Sequence, residues 1–183
     1  LKHSVLLLET IIRACPGHVQ ALYLRARVEF MAGDFSSASG YLQRILVNID
    51  PTYTQAHLLN AQIQLQQQQY SKAMQSLEVA LSHNFAIREN PMYHLLLGTV
   101  QRNQQQLTEA QKSFLTALQL VGSSFLGSDL PGSSKLSAST SLSSELRSSP
   151  SWASFTLADK VTVYLELISI ARELNDGQAA YES

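Results

Sequence analysis

The stretch QQYSKAMQSLEVAL, residues 68–81, decides the fold. Within it Ala73, Leu77 and Ala80 stand four and then three residues apart, the spacing of one face of an α-helix. Two other stretches, GDFSSASGYLQRIL (33–46) and QQLTEAQKSFLTAL (105–118), superimpose on it without gaps. Ala38, Ala73 and Ala110 are therefore equivalent, at spacings of 35 and 37 residues, and a large apolar residue, Leu42, Leu77 or Phe114, follows each. Ile45, Ala80 and Ala117 complete the stripe. Self-similarity at this period is the signature of stacked helical repeats.

Upstream of each copy lies another amphipathic segment: ALYLRARVEFMA (21–32), AHLLNAQIQLQQ (56–67) and YHLLLGTVQRNQ (93–104). Each unit is thus a pair of helices. Ala26, Ala61 and Gly98 fall at equivalent places in the first helices, where a missing side chain lets the paired helix come close. Phe35, Tyr70 and Leu107 lie at the turn and are predicted to pack into the cleft, with Gly33-Asp34 making the first turn.

The A-x₃-[L/F] motif in all three copies, with Pro16 closing the repeat before them, resembles the tetratricopeptide repeat family. The resemblance implies an all-α solenoid of helix-turn-helix pairs wound into a right-handed superhelix. There are departures. Leu22, His57 and His94 stand where the family often has tryptophan, Arg25 and Asn60 replace its leucine, and Pro51 and Pro91 lie slightly late. They point to divergent repeats with lengthened turns.

On this register residues 1–18 form the second helix of a truncated repeat, and 19–121 form three repeats. Residues 122–156 read as a Ser/Gly-rich disordered insertion, because their scattered apolar residues cannot offset the entropy of ordering them. Residues 157–183 start a further repeat, with a turn expected at Asp176-Gly177. Both ends lack a polar cap, so the chain reads as a piece of a longer solenoid whose apolar end faces need neighbours. Ser149, which precedes Pro150 in the insertion, is a candidate phosphorylation site.

Composition narrows the function. The 183 residues carry 13 Lys and Arg against 14 Asp and Glu, so no overall field draws nucleic acid or an anionic membrane. No apolar run approaches the roughly 18 residues of a membrane span, and direct membrane insertion is not expected. The single cysteine, Cys15, excludes an internal disulfide framework and reads as a small buried hydrophobe. The five histidines form no short-spaced ligand set, and the repeat-equivalent His57 and His94 read as packed or hydrogen-bonded within first helices. There is no nucleophile elbow and no phosphate-binding glycine motif. No enzyme activity, cofactor or metal is expected, and the glutamine runs 66–69 and 104–106 read as solvated helix ends.

The tetratricopeptide resemblance places protein binding on the concave face, lined by first helices. Here that face takes in Tyr23, Arg27, Phe30, Leu58, Gln62, Leu65, Leu95, Thr99 and Arg102, a mainly apolar groove in which a given leucine serves equally well as core. The carboxylate clamp of the family's co-chaperones is not assembled. Its places hold Tyr23, Arg27, Leu59, Met92 and Leu96, of which only Arg27 is basic.

A closer likeness rests on SLEVALSHNFAIRENPMYHLL (76–96) and VYLELISIARELNDGQAA (163–180). Residues 81–85, Pro91 and Tyr93 carry most of its specificity, since the general repeat does not demand them. These segments are similar to the tetratricopeptide repeat protein 21 family, long all-repeat subunits of intraflagellar transport complex A. That resemblance implies a scaffold whose partners are other complex-A subunits, acting in retrograde ciliary transport and membrane-protein delivery, in the cytoplasm and at the ciliary base and axoneme. The alternative is a peptide-binding adaptor outside cilia.

Overall fold

A computed structural model describes residues 2–126 and 155–181. Among the described residues eight α-helices follow in order: α1 (Lys2–Ala14), α2 (Val19–Ala32), α3 (Phe35–Asn48), α4 (Thr54–Gln66), α5 (Tyr70–His83), α6 (Pro91–Asn103), α7 (Leu107–Leu126) and α8 (Leu157–Tyr181), with a 3₁₀ turn at Phe85–Glu89. The pairs α2–α3, α4–α5 and α6–α7 are the three units expected from the sequence. The chain divides into two compact units, residues 1–87 and 88–183.

The helix starts and stops follow local chemistry. Gly33 takes φ 83°, the left-handed conformation that ends α2, and its N–H reaches the carbonyls of Glu29 and Phe30. Asp34 then caps α3 by accepting from the Ser37 N–H at 3.0 Å and the Ser37 hydroxyl at 2.7 Å. Those bonds hold its carboxyl below the usual carboxylate range. Asn90 caps α6, whose first residue Pro91 needs no partner for an N–H it lacks.

In the first unit, Leu22 and Ala26 of α2 interlock with Ala38, Leu42 and Ile45 of α3 and with Ala56, Leu59 and Ile63 of α4. Phe35 and Phe30 flank this core with ring centroids 5.8 Å apart, so the turn aromatic does enter the cleft. The six small positions behave alike. Ala26, Ala38, Ala61, Ala73 and Ala110 have no exposed surface, and a Cβ added to Gly98 would lie 2.7–3.0 Å from three ring carbons of Phe114. Close helix approach at a small residue is thus the shared device of all three pairs.

Three expectations are corrected. Helix α7 runs on to Leu126, so residues 122–126 extend the repeat instead of opening the insertion. An established helix adds residues at little cost, and Gly122 subtracts only about 1 kcal/mol. Helix α8 likewise passes through Asp176-Gly177 without turning. No left-handed residue interrupts it there, whereas each of the three pairs has one at its turn: Gly33, Gln68 and Gln105. Cys15 is exposed, because it stands just past the last turn of α1. Ser149 and the body of the Ser-rich segment lie outside the described residues.

Candidate protein-interaction face

The polar residues that break the repeat pattern find partners within it, save that the buried Arg25 Nε has none among the described residues. His57 and His94 each bring Nε2 to 2.8 Å from a backbone carbonyl six residues upstream, of Pro51 and Arg88 respectively. The ring is thereby tied to the turn that enters its own helix. His57 is buried and stacks on His83 at 5.9 Å. Burial pushes the His94 imidazole down, against a smaller upward pull from the Arg88 carbonyl. In α4–α5 the Asn60 amide donates to Ser76 Oγ at 3.2 Å, and that hydroxyl donates to Gln64 at 2.8 Å. The equivalent Ser113 donates to Gln101 at 2.7 Å in α6–α7. In α2–α3, Arg25 replaces this link: it pairs with Glu29 at 2.7 Å and Glu9 at 3.4 Å and lies over the Tyr41 ring at 5.9 Å.

The nine residues expected on the binding face divide by fate. Leu58 and Leu95 are core, each only 6% exposed. Tyr23 is half-buried and meets Tyr53 edge-on at 5.6 Å, and burial raises its phenol above the ordinary range while nearby Arg27 opposes the shift. Phe30, Gln62, Leu65 and Thr99 are half-buried, and the Thr99 hydroxyl returns to the Leu95 carbonyl at 2.8 Å. Arg27 is exposed. Arg102 is engaged by α8: its guanidinium pairs with Glu166, donates to Ser169 at 2.7 Å and reaches Glu173 at 3.2 Å. Sequence reading missed these partners because they lie more than 60 residues along the chain.

Two concavities lie among the described residues. In the first unit, Leu7 and Leu8 of α1 with Leu24, Arg27, Val28 and Met31 of α2 enclose about 420 Å³, almost wholly apolar. Arg27 makes no ion pair or hydrogen bond among the described residues. In the second unit, Arg102, Asn103, Gln105, Glu166 and Glu173 enclose about 380 Å³ of polar character. Among the described residues no group of three His, Cys, Asp or Glu is arranged to hold a metal, and no helix is long and apolar enough to cross a membrane. What the surface offers is apolar helix faces with isolated charges, the material of protein contacts.

The paired helices, their small-residue seams and this surface define a helical-repeat protein-interaction scaffold. Residues 85–183 match the family described as "Tetratricopeptide repeat protein 21 ARM repeat", and residues 1–68 match its "second ARM domain". The chain belongs to the tetratricopeptide repeat protein 21 family. It is 32% identical over 94% of its length to human tetratricopeptide repeat protein 21B and 42% identical over 67% to the mouse 21B protein. It is also 33% identical over 66% of its length to human tetratricopeptide repeat protein 21A. It spans only 12%, 9% and 9% of the lengths of those three relatives. Among solved structures, a MamA double mutant aligns over 94% of this chain and 86% of its own, at TM-score 0.56 and 15% identity. MamA 41-end from Desulfovibrio magneticus RS-1 aligns over 65% of each chain at TM-score 0.56 and 20% identity. These structures share the fold.

Proposed function

We propose that this chain is part of a structural subunit of intraflagellar transport complex A, acting in retrograde ciliary transport and in delivery of membrane proteins to cilia. The match of residues 85–183 to the tetratricopeptide repeat protein 21 family carries the reading. The physical character of the chain suits it: its helix pairs carry exposed apolar faces, which suit other protein subunits. On this reading the protein works in the cytoplasm, at the ciliary base and along the axoneme. The competing reading, an adaptor for short peptides outside cilia, draws on the apolar groove between α1 and α2.

The test is purification of the tagged full-length protein from ciliated cells, with mass spectrometry of what accompanies it. Stoichiometric recovery of the other complex-A subunits is the expected result. Recovery of diverse peptide-bearing clients without those subunits would overturn it in favour of the adaptor.

A further inference from the structure

The linker ahead of each helix pair carries one backbone carbonyl at an equivalent place. Pro16, Pro51 and Arg88 stand 35 and 37 residues apart, the spacings of Ala38, Ala73 and Ala110. All three lie outside the α-helices, so no N–H of a helical ladder serves their carbonyls and a partner has to come from a side chain or from water. In the second and third linkers the partner is the histidine of the helix just entered, His57 or His94, with Nε2 at 2.8 Å. A carbonyl only accepts, so each ring carries its proton on Nε2.

The first linker has no such histidine. Leu22 stands at that place and offers no donor. The donor comes instead from the second helix of the pair: Arg44 of α3 gives an Nη2 hydrogen to the Pro16 carbonyl at 2.7 Å, across 28 residues. The same 28-residue step from Pro51 and from Arg88 leads to Val79 and Thr116. Arg44, Val79 and Thr116 are all half-buried, but valine has nothing to donate and the Thr116 hydroxyl is turned to the Lys112 carbonyl at 2.9 Å. Each pair thus has one donor for its linker carbonyl, a first-helix histidine or a second-helix arginine, and the two do not coincide in any pair.

We propose that this carbonyl is a lock point, one per linker, that holds the incoming chain against the helix pair it is about to form, and that Arg44 is the positioning residue of the first linker. It does from α3 what His57 does from α4 and His94 from α6. The two donors are exchangeable because the carbonyl fixes only where an N–H must arrive, and not which helix delivers it. The lock acts within each pair, whatever partners the protein binds.

The experiment is hydrogen–deuterium exchange of the purified full-length protein, read peptide by peptide in a mass spectrometer. His57→Leu copies Leu22 into the second linker and should speed exchange of the amides of residues 52–57 about fivefold, the effect of one net hydrogen bond. Adding Val79→Arg copies Arg44 and should bring those amides back to within about twofold of the parent protein, whereas Val79→Arg alone should leave them unchanged. Arg44→Ala should speed residues 17–22 to a similar degree, and Arg44→Lys, which keeps a cationic donor on a long stem, should speed them less. Parental exchange in His57→Leu, or no recovery on adding Val79→Arg, would overturn the exchange of donors. Should His57→Leu also speed exchange in α1, its effect is damage to the core and the Arg44 variants decide alone. Parental exchange of residues 17–22 in Arg44→Ala would then overturn the lock.

Discussion

The pairs α4–α5 and α6–α7 solve one packing problem with different side chains. In α4–α5, Ala61 of the first helix stands at the close approach and Leu77 of the second helix is fully buried. In α6–α7 the equivalents are Gly98 and Phe114, and the phenyl ring fills the space where even a methyl group on residue 98 would sit. What is kept is the filling of the gap between the two helices, not the identity of either residue. Protein interiors are packed to crystal-like density, so an enlargement on one helix needs a reduction on the other. The second-helix alanines, Ala73 and Ala110, face no such exchange and do not vary.

The constant part of that comparison predicts the largest effects. Ala73→Trp and Ala110→Trp each drive an indole into a fully buried seam, and each should cost at least the upper part of the about 1–3 kcal/mol range of core overpacking. Gln75→Trp, on an exposed face, is the control. Chemical unfolding of the three variants measures the difference. Equal midpoints would break the equivalence of the two pairs.

The exchanged part predicts a smaller effect with a diagnostic rescue. Gly98→Ala gains about 1 kcal/mol of helix propensity. The added methyl meets three carbons of a ring with no exposed surface, so overpacking should outweigh that gain and leave a net loss near 1 kcal/mol. Adding Phe114→Leu re-creates the Ala–Leu seam of α4–α5, and the double variant should be more stable than the two single losses summed. A coupling of at least about 0.5 kcal/mol in this double-mutant cycle is expected for residues in contact. Strict additivity would mean that the seams are not interchangeable.

The polar links give a third contrast. Ser76→Ala strands both the Asn60 amide and the Gln64 carbonyl, whereas Ser113→Ala strands only the Gln101 carbonyl. Leaving a buried polar group unpaired costs about 1–3 kcal/mol, and these groups are part-buried, so losses near or below about 1 kcal/mol are expected. The Ser76 variant should be the worse of the two in thermal unfolding. The reverse order would show that the Asn60 amide is satisfied elsewhere.

Helix existence and pairing were legible in the sequence because they depend on periodicity, which a stripe such as Ala73, Leu77 and Ala80 displays directly. The small-residue seam was legible for the same reason. The fate of the binding-face residues was not. Leu58 and Arg102 share a helical face with exposed neighbours, and whether one is buried or the other is paired with Glu166 and Glu173 depends on elements outside its own repeat. The missing turn at Asp176-Gly177 follows from the same limit: glycine and aspartate permit a turn, but a second helix must pack back to select it. The turn residues were half legible. Gly33 announces its left-handed φ, while Gln68 and Gln105 adopt the same conformation with no compositional sign of it.

Those glutamines supply the smallest predicted effect. At φ 59° and 64° they stand 35 and 72 residues beyond Gly33 at φ 83°, the equivalent place in each turn. A residue with a Cβ spends about 1–2 kcal/mol in that region, and glycine avoids the strain but loses more entropy on folding. The two terms nearly cancel, with the strain larger, so Gln68→Gly and Gln105→Gly should each stabilise by less than about 1 kcal/mol. In a chain of this size that is a rise of at most about 2–4 °C in Tm. Because the turns of α4–α5 and α6–α7 share this geometry, the two variants should shift alike, unlike the Gly98 and Ala61 positions, where the pairs differ. A fall in Tm for both would mean that the glutamine side chains hold the turn through contacts worth more than the strain, and a rise for one alone would show that only that turn is under strain.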